Sequence, residues 1–140
     1  MNLTPDLQSC LVCDDVRQER NGKFILIGLF DAIWGQNFPL QYPRLCAVSR
    51  WCSGLGNFTQ TTRILKPDRR SVLAQGKPIP VKLADELSTA TNVELFVNLS
   101  FEEAGAYWIE VTIDETLKLS FPLRVGKLQH PPGHIPSPEA

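Results

Sequence analysis

The stretch YWIEVTIDETLKLSFPLRV, residues 107–125, alternates apolar and polar side chains with period two on both sides of a turn. Tyr107, Ile109, Val111 and Ile113 share one parity; Trp108, Glu110 and Thr112 share the other. After Asp114-Glu115-Thr116 the pattern resumes, with Leu117, Leu119, Phe121, Leu123 and Val125 on one side and Lys118, Ser120 and Arg124 on the other. Successive side chains on a strand point to opposite faces, so each segment has a dry face and a wet one. This is the pattern of antiparallel sheet packed on one side. Pro122 cannot donate to a ladder and marks an edge or a bulge.

Upstream, Val93, Leu95, Val97, Leu99 and Phe101 alternate with Glu94, Phe96, Asn98 and Ser100, which predicts a strand with the first set inward. Residues 13–33, CDDVRQERNGKFILIGLFDAI, read as a hairpin. A strand from Cys10 to Glu19 meets a type I′ turn at Asn21-Gly22, the strongest short hairpin signal. The returning strand, Lys23 to Ile33, is apolar at nearly every position and reads as a central strand covered on both faces. Gly35 to Pro43 reads as a loop. Leu45 to Cys52, Phe58 to Leu65, Ser71 to Gln75 and Ile79 to Leu83 read as further strands, and Ala84 to Ala90 as one helical turn. Seven to nine short strands with turn signals between them predict an all-β, antiparallel β-sandwich. Residues 1–128 are expected to form one domain and the proline-rich residues 129–140 a C-terminal tail.

Glu103-Ala104-Gly105-Ala106-Tyr107 resembles the tyrosine-corner stretch of immunoglobulin-like sandwiches. The resemblance implies a tyrosine hydroxyl bonded back to upstream backbone, and an immunoglobulin-like C-terminal half. Position 109, a bridging cysteine in antibody domains, is isoleucine here, and Trp51 is the candidate core tryptophan. Cys13-Asp14-Asp15-Val16-Arg17, with Gly22-Lys23 and Leu26-Ile27-Gly28-Leu29-Phe30-Asp31, also resembles a family of small bacterial proteins of unassigned function. That resemblance implies a bacterial source and no known chemistry.

At 140 residues, with 43% hydrophobic and 21% charged residues, the composition is that of a soluble globular protein. Fourteen basic against fifteen acidic residues give a net charge of −1, so no global field steers the chain toward nucleic acid or an anionic membrane. No run reaches the roughly 18 apolar residues of a membrane span. The N-terminal segment lacks the pattern of a signal peptide, which predicts a cytoplasmic protein with four reduced cysteines.

Cys10 and Cys13 form a C-x-x-C, but a strand sends the two sulfurs to opposite faces, so no metal or cofactor is expected. Both histidines, His130 and His134, fall in the tail, which leaves the domain without a histidine base for a triad or dyad. No catalytic residues are therefore assigned. The leading expectation is a non-catalytic protein-interaction or self-association module, with Trp108, Arg50, Arg124 and Phe96 as its outward contact residues. Its partner would be an unknown protein, a second copy included. The alternative is anion or nucleic-acid binding through the basic turn Arg63, Lys66, Arg69 and Arg70, although no aromatic is interleaved there for base stacking. The third is an enzyme built on Asp14, Asp15, Arg17 and Cys13, which requires both carboxylates to converge.

Overall fold

Ten strands build two facing sheets in the computed structural model, which describes residues 2–128. They are β1 (Asp6–Gln18), β2 (Phe24–Leu29), β3 (Ala32–Gly35), β4 (Leu40–Cys52), β5 (Gly56–Leu65), β6 (Val72–Gln75), β7 (Ile79–Leu83), β8 (Ala90–Phe101), β9 (Gly105–Ile113) and β10 (Thr116–Lys127). A four-stranded sheet runs β2-β1-β4-β8; a six-stranded sheet runs β3-β10-β9-β5, with β6 and β7 both pairing β5. Every pairing is antiparallel except β3 with β10, which is parallel. The architecture is an all-β sandwich. The tail expected at 129–140, with His130 and His134, lies outside the described residues.

The β9–β10 alternation behaves as its sequence predicts except at Leu117, expected inward but 52% exposed, because a register shift between Leu117 and Leu119 breaks the parity at the start of β10. Tyr107, Ile109, Val111, Ile113, Leu123 and Val125 are buried between the sheets, against Leu45, Ala47, Phe101 and Trp51 of the other layer. The Tyr107 hydroxyl donates to the Glu103 carbonyl at 2.8 Å, and its ring meets Phe101 edge-on at 4.8 Å. Pro122 falls on an open margin, since β10 gains its second partner, β3, only from Arg124 onward.

Five expectations are corrected. The run Lys23–Ile33 is two strands: β2 is the outer strand of the four-stranded sheet, and the chain then crosses at Phe30-Asp31 so that β3 joins the other sheet. β2 is therefore an exposed edge, with Ile25, Ile27 and Leu29 open to solvent. The hairpin before it does not use a two-residue type I′ turn. Only Gly22 has positive φ (94°), and the Gly22 amide bonds the Glu19 carbonyl, so Arg20, Asn21 and Gly22 form a longer loop. Residues 84–90 hold an Asp85-centred turn, with Leu87 in solvent, and no helix occurs among the described residues. The Gly35–Pro43 loop is shorter than expected, because β4 starts at Leu40 and runs through Pro43.

The fifth correction concerns β8 and carries the most consequence. Glu94 and Phe96 are the buried side chains of its first half, while Val93, Leu95 and Val97 face out; beyond Asn98, Leu99 and Phe101 are buried. Asn98 is left-handed (φ 54°) and absorbs one residue of the alternation. On β4, Tyr42 pairs Leu99 and Arg44 pairs Val97, so Pro43 and Asn98 stand opposite each other between them. Tyr42 packs on the core from one side of this joint and Leu45 from the other. Both strands thus carry one extra residue at the same level, which keeps their register while resetting which side is dry.

Candidate functional site

Why β8 turns Glu94 inward is answered by β5. Gln60 and Thr62, also fully buried, occupy the inward positions of β5 between Phe58 and Ile64. The Gln60 amide is held at both ends. Its Oε1 accepts from Trp51 Nε1 and Asn92 Nδ2, both at 2.8 Å; its Nε2 lies 3.2 Å from Ser49 Oγ, 3.0 Å from Thr62 Oγ1 and 3.1 Å from Glu94 Oε1. The indole N–H can only donate, which fixes the amide with its oxygen toward Trp51. Burial raises the pKa of the Glu94 carboxyl, against the lowering by the Thr62 and Gln60 hydrogen bonds. Cys10, beside Ser49, is pushed up to about 11 by the same burial. Glu94 also borders a cleft of about 360 Å³ between β8 and the β6–β7 connection, where its second oxygen abuts Gly76 so closely that no side chain fits there. Sequence reasoning missed this network, because a glutamate opposite valines and leucines carries the signature of a wet face.

With Glu94 and Phe96 drawn inward, the apolar half of β8 becomes surface. Leu95 is 51% and Val97 56% exposed. Along the register, Val93 lies beside Val48, and Val48 beside Leu11; Leu95 lies beside Cys46, and Cys46 beside Cys13. Cys13, Cys46 and Val48 are buried under this outer side, with Leu26 and Val16 packed against them. The outer side of the four-stranded sheet is thus apolar from Val97 across to β2, and Arg44 and Arg50 stand on β4 at its two ends.

The expected contact residues do not form one patch. Phe96 is buried at 7% exposure, which corrects its outward assignment. Arg50 lies on β4 in the four-stranded sheet, whereas Trp108 and Arg124 lie on β9 and β10 of the other sheet. Trp108 is half-buried under the Arg69 guanidinium, 3.7 Å from its ring centre. Arg124 lies 5.6 Å from the ring centre of Trp34, whose ring in turn rests on Gly126.

The basic turn engages its own cations. Arg63 pairs Glu110 at 2.7 Å, and Arg69 covers Trp108, which leaves Lys66 and Arg70 at the tip. Asp68 organises this turn. Its carboxylate accepts from the Ser71 hydroxyl and the Arg70 and Ser71 amides, which hold its pKa down at about 2.

Asp14 and Asp15 find separate partners. Tyr42 donates its hydroxyl to Asp14 at 2.7 Å, and the tyrosine pKa is raised by burial and by that contact. Asp15 accepts from Arg17 at 2.9 Å and Arg44 at 2.8 Å, and the hydrogen bond from Arg17 leads in holding its pKa low. Their bonds tie the hairpin to β4 and do not direct both carboxylates into a shared pocket. Cys10 enters the core beside Trp51, while Cys13 faces Cys46 across the β1–β4 ladder. Among the described residues, no three of His, Cys, Asp and Glu gather as a metal site. No helix there is long and apolar enough to cross a membrane.

A family model matches residues 8–126, and the chain belongs to that family, described as a family of unknown function (DUF6941). No curated protein matches the chain.

Proposed function

We propose that this domain is a non-catalytic protein-interaction module whose contact surface is the outer side of the four-stranded sheet. One observation carries the reading: Leu11, Val93, Leu95 and Val97 stand exposed over one continuous sheet side, and β2 extends the apolar surface to the sheet's edge. Monomeric proteins rarely leave a contiguous apolar patch beyond a few hundred Å² open to water, and larger ones mark interaction sites. The engaged state of Asp14, Asp15 and Arg63 favours this reading over an enzyme or an anion-binding turn. The Tyr107–Glu103 bond supports an immunoglobulin-like scaffold, and four free cysteines support a reducing cytoplasmic setting.

The test is a double variant, Leu95→Lys with Val97→Glu, on positions more than half exposed and so of small effect on stability. Full-length wild type and variant are immobilised in parallel against an extract of the source organism, and each retained protein is purified and titrated directly. The reading requires a protein, the chain itself included, that binds wild type and not the variant. Equal retention by both surfaces overturns it.

A further inference from the structure

The β1–β2 hairpin does not continue the plane of its sheet. β1 pairs β4 from Asp6 to Cys13 and pairs β2 from Cys13 to Gln18, so the two ladders meet only at Cys13. At that level Gly28 is left-handed (φ 72°) and stands opposite Asp14, whose side chain leaves no room for another there. The cross-strand pair Val16 and Leu26 packs back on Cys13, Cys46 and Val48, on the outer side of the sheet. A straight β1 would hold Gln18, the ladder partner of Phe24, about 30 Å from Ser9 at roughly 3.3 Å per residue. Yet Phe24 and Ser9 line one groove of about 660 Å³. The hairpin is thus curled over the sheet. Lys23, Phe24 and Leu26 form the roof of the groove. Its floor is Leu11 and Val48 beside the row Ser9, Arg50 and Thr91, which crosses three neighbouring strands.

The charges of this groove are of one sign: Lys23 and Arg50 line it, and no carboxylate does. Arg17 and Arg44 pair with Asp15, Arg63 pairs with Glu110, and Arg124 lies over Trp34. Arg50 is therefore the one strand arginine without a partner among the described residues, and Lys23 has no ion pair there either. We propose that the groove under the hairpin binds a small amphiphilic carboxylate. Its apolar body lies between Phe24 and Leu26 above and Leu11 and Val48 below, and its head group meets Arg50 and Lys23. The volume falls within the roughly 300–1,000 Å³ of small-ligand sites, which are mostly apolar with a few placed polar groups. A guanidinium receives a carboxylate through two parallel hydrogen bonds, and apolar walls on both sides strengthen that attraction by excluding water. The proposal goes beyond the interaction reading, whose Leu95 and Val97 lie outside the groove.

The experiment titrates the full chain with sodium decanoate by isothermal calorimetry, beside decyltrimethylammonium, which has an equal chain and the opposite charge. Saturable one-to-one binding of decanoate that weakens with added salt is expected, with none of the cation. Amide chemical-shift changes on titration are expected to centre on Leu11, Phe24, Val48 and Thr91. Arg50 and Lys23 are exposed, so Arg50→Gln and Lys23→Gln leave the fold intact, and each is expected to weaken decanoate binding about tenfold. No saturable binding of decanoate up to millimolar concentration overturns the proposal, while leaving the interaction reading to its own test at Leu95 and Val97. Equal binding of the two amphiphiles, or unchanged affinity in both variants, overturns it as well. If wild type binds no decanoate but either substitution abolishes capture of a protein partner, the groove receives an acidic side chain of that partner and the proposal falls.

Discussion

Gln60→Leu offers the sharpest measurement of what holds the two layers together. Leucine fills a similar volume but neither donates nor accepts, so the whole polar network loses its hub. Trp51, at 0% exposure, is left with an indole N–H that has lost its acceptor. Asn92 loses the same oxygen from a half-buried position, where water replaces part of the bond. Ser49 retains the Cys10 thiol, and Thr62 retains Glu94, so those two contribute less. A buried polar group deprived of its partner costs about 1–3 kcal/mol. With the indole N–H and one donor to Glu94 lost, and a fraction recovered from the added apolar surface, the expected destabilisation is about 2–4 kcal/mol. That is a large part of the roughly 5–15 kcal/mol by which a domain is stable. Urea unfolding followed by fluorescence reads it as a fall in midpoint of about 1–2 M at unchanged slope. Trp51→Phe removes the stranded donor, so the double variant is expected to cost about 1–2 kcal/mol less than the sum of the singles. A loss below about 1 kcal/mol for Gln60→Leu, or strict additivity, refutes the network as the tie between the layers.

Three further outcomes are expected. Burial raises the pKa of Glu94 above its unfolded value, so its stabilising contribution is complete below the unfolded pKa and declines as pH rises through the folded one. Glu94→Gln is therefore near neutral at acid pH and gains on wild type toward pH 8, as read from paired denaturation midpoints; a pH-independent difference contradicts this. Asp68 has the opposite sign: its low pKa makes its contribution present above the unfolded pKa and lost as pH falls through about 2. Asp68→Asn is expected to loosen the 66–71 turn and release Arg69 from Trp108, read as loss of the upfield ring-current shift on the arginine side-chain protons. Tyr107→Phe deletes the hydroxyl bond to Glu103 and is expected to cost about 0.5–1.5 kcal/mol in urea, while a neutral result removes the corner as a stabilising element.

The sandwich was legible wherever one residue decided one side, as in β9, where Tyr107 to Ile113 alternate without interruption. It was misread where a distant partner set the outcome. A continuous apolar run such as FILIGL reads as a strand covered on both faces, yet nothing within it reports that the next strand leaves for the other sheet. In β8 the apolar parity faces water because Gln60, thirty-four positions earlier, supplies Glu94 with a buried donor. Asn98 then restores the expected side for Leu99 and Phe101 through a backbone angle that composition does not reveal. The candidate patch failed for a related reason. Parity says that Arg50 and Trp108 point outward, but only the pairing order says that they do so from different sheets.

The facing pair Pro43 and Asn98 sets a rule for how this family can change length. Removing both would leave Tyr42 against Leu99 and Leu45 against Phe96, with every side chain keeping its surroundings. Removing either alone would leave the other as a one-residue bulge between the Tyr42–Leu99 and Arg44–Val97 pairs. Paired loss at this joint is thus expected to leave a regular ladder, and a relative missing only one of the two residues to carry a bulge on the other strand with the same core.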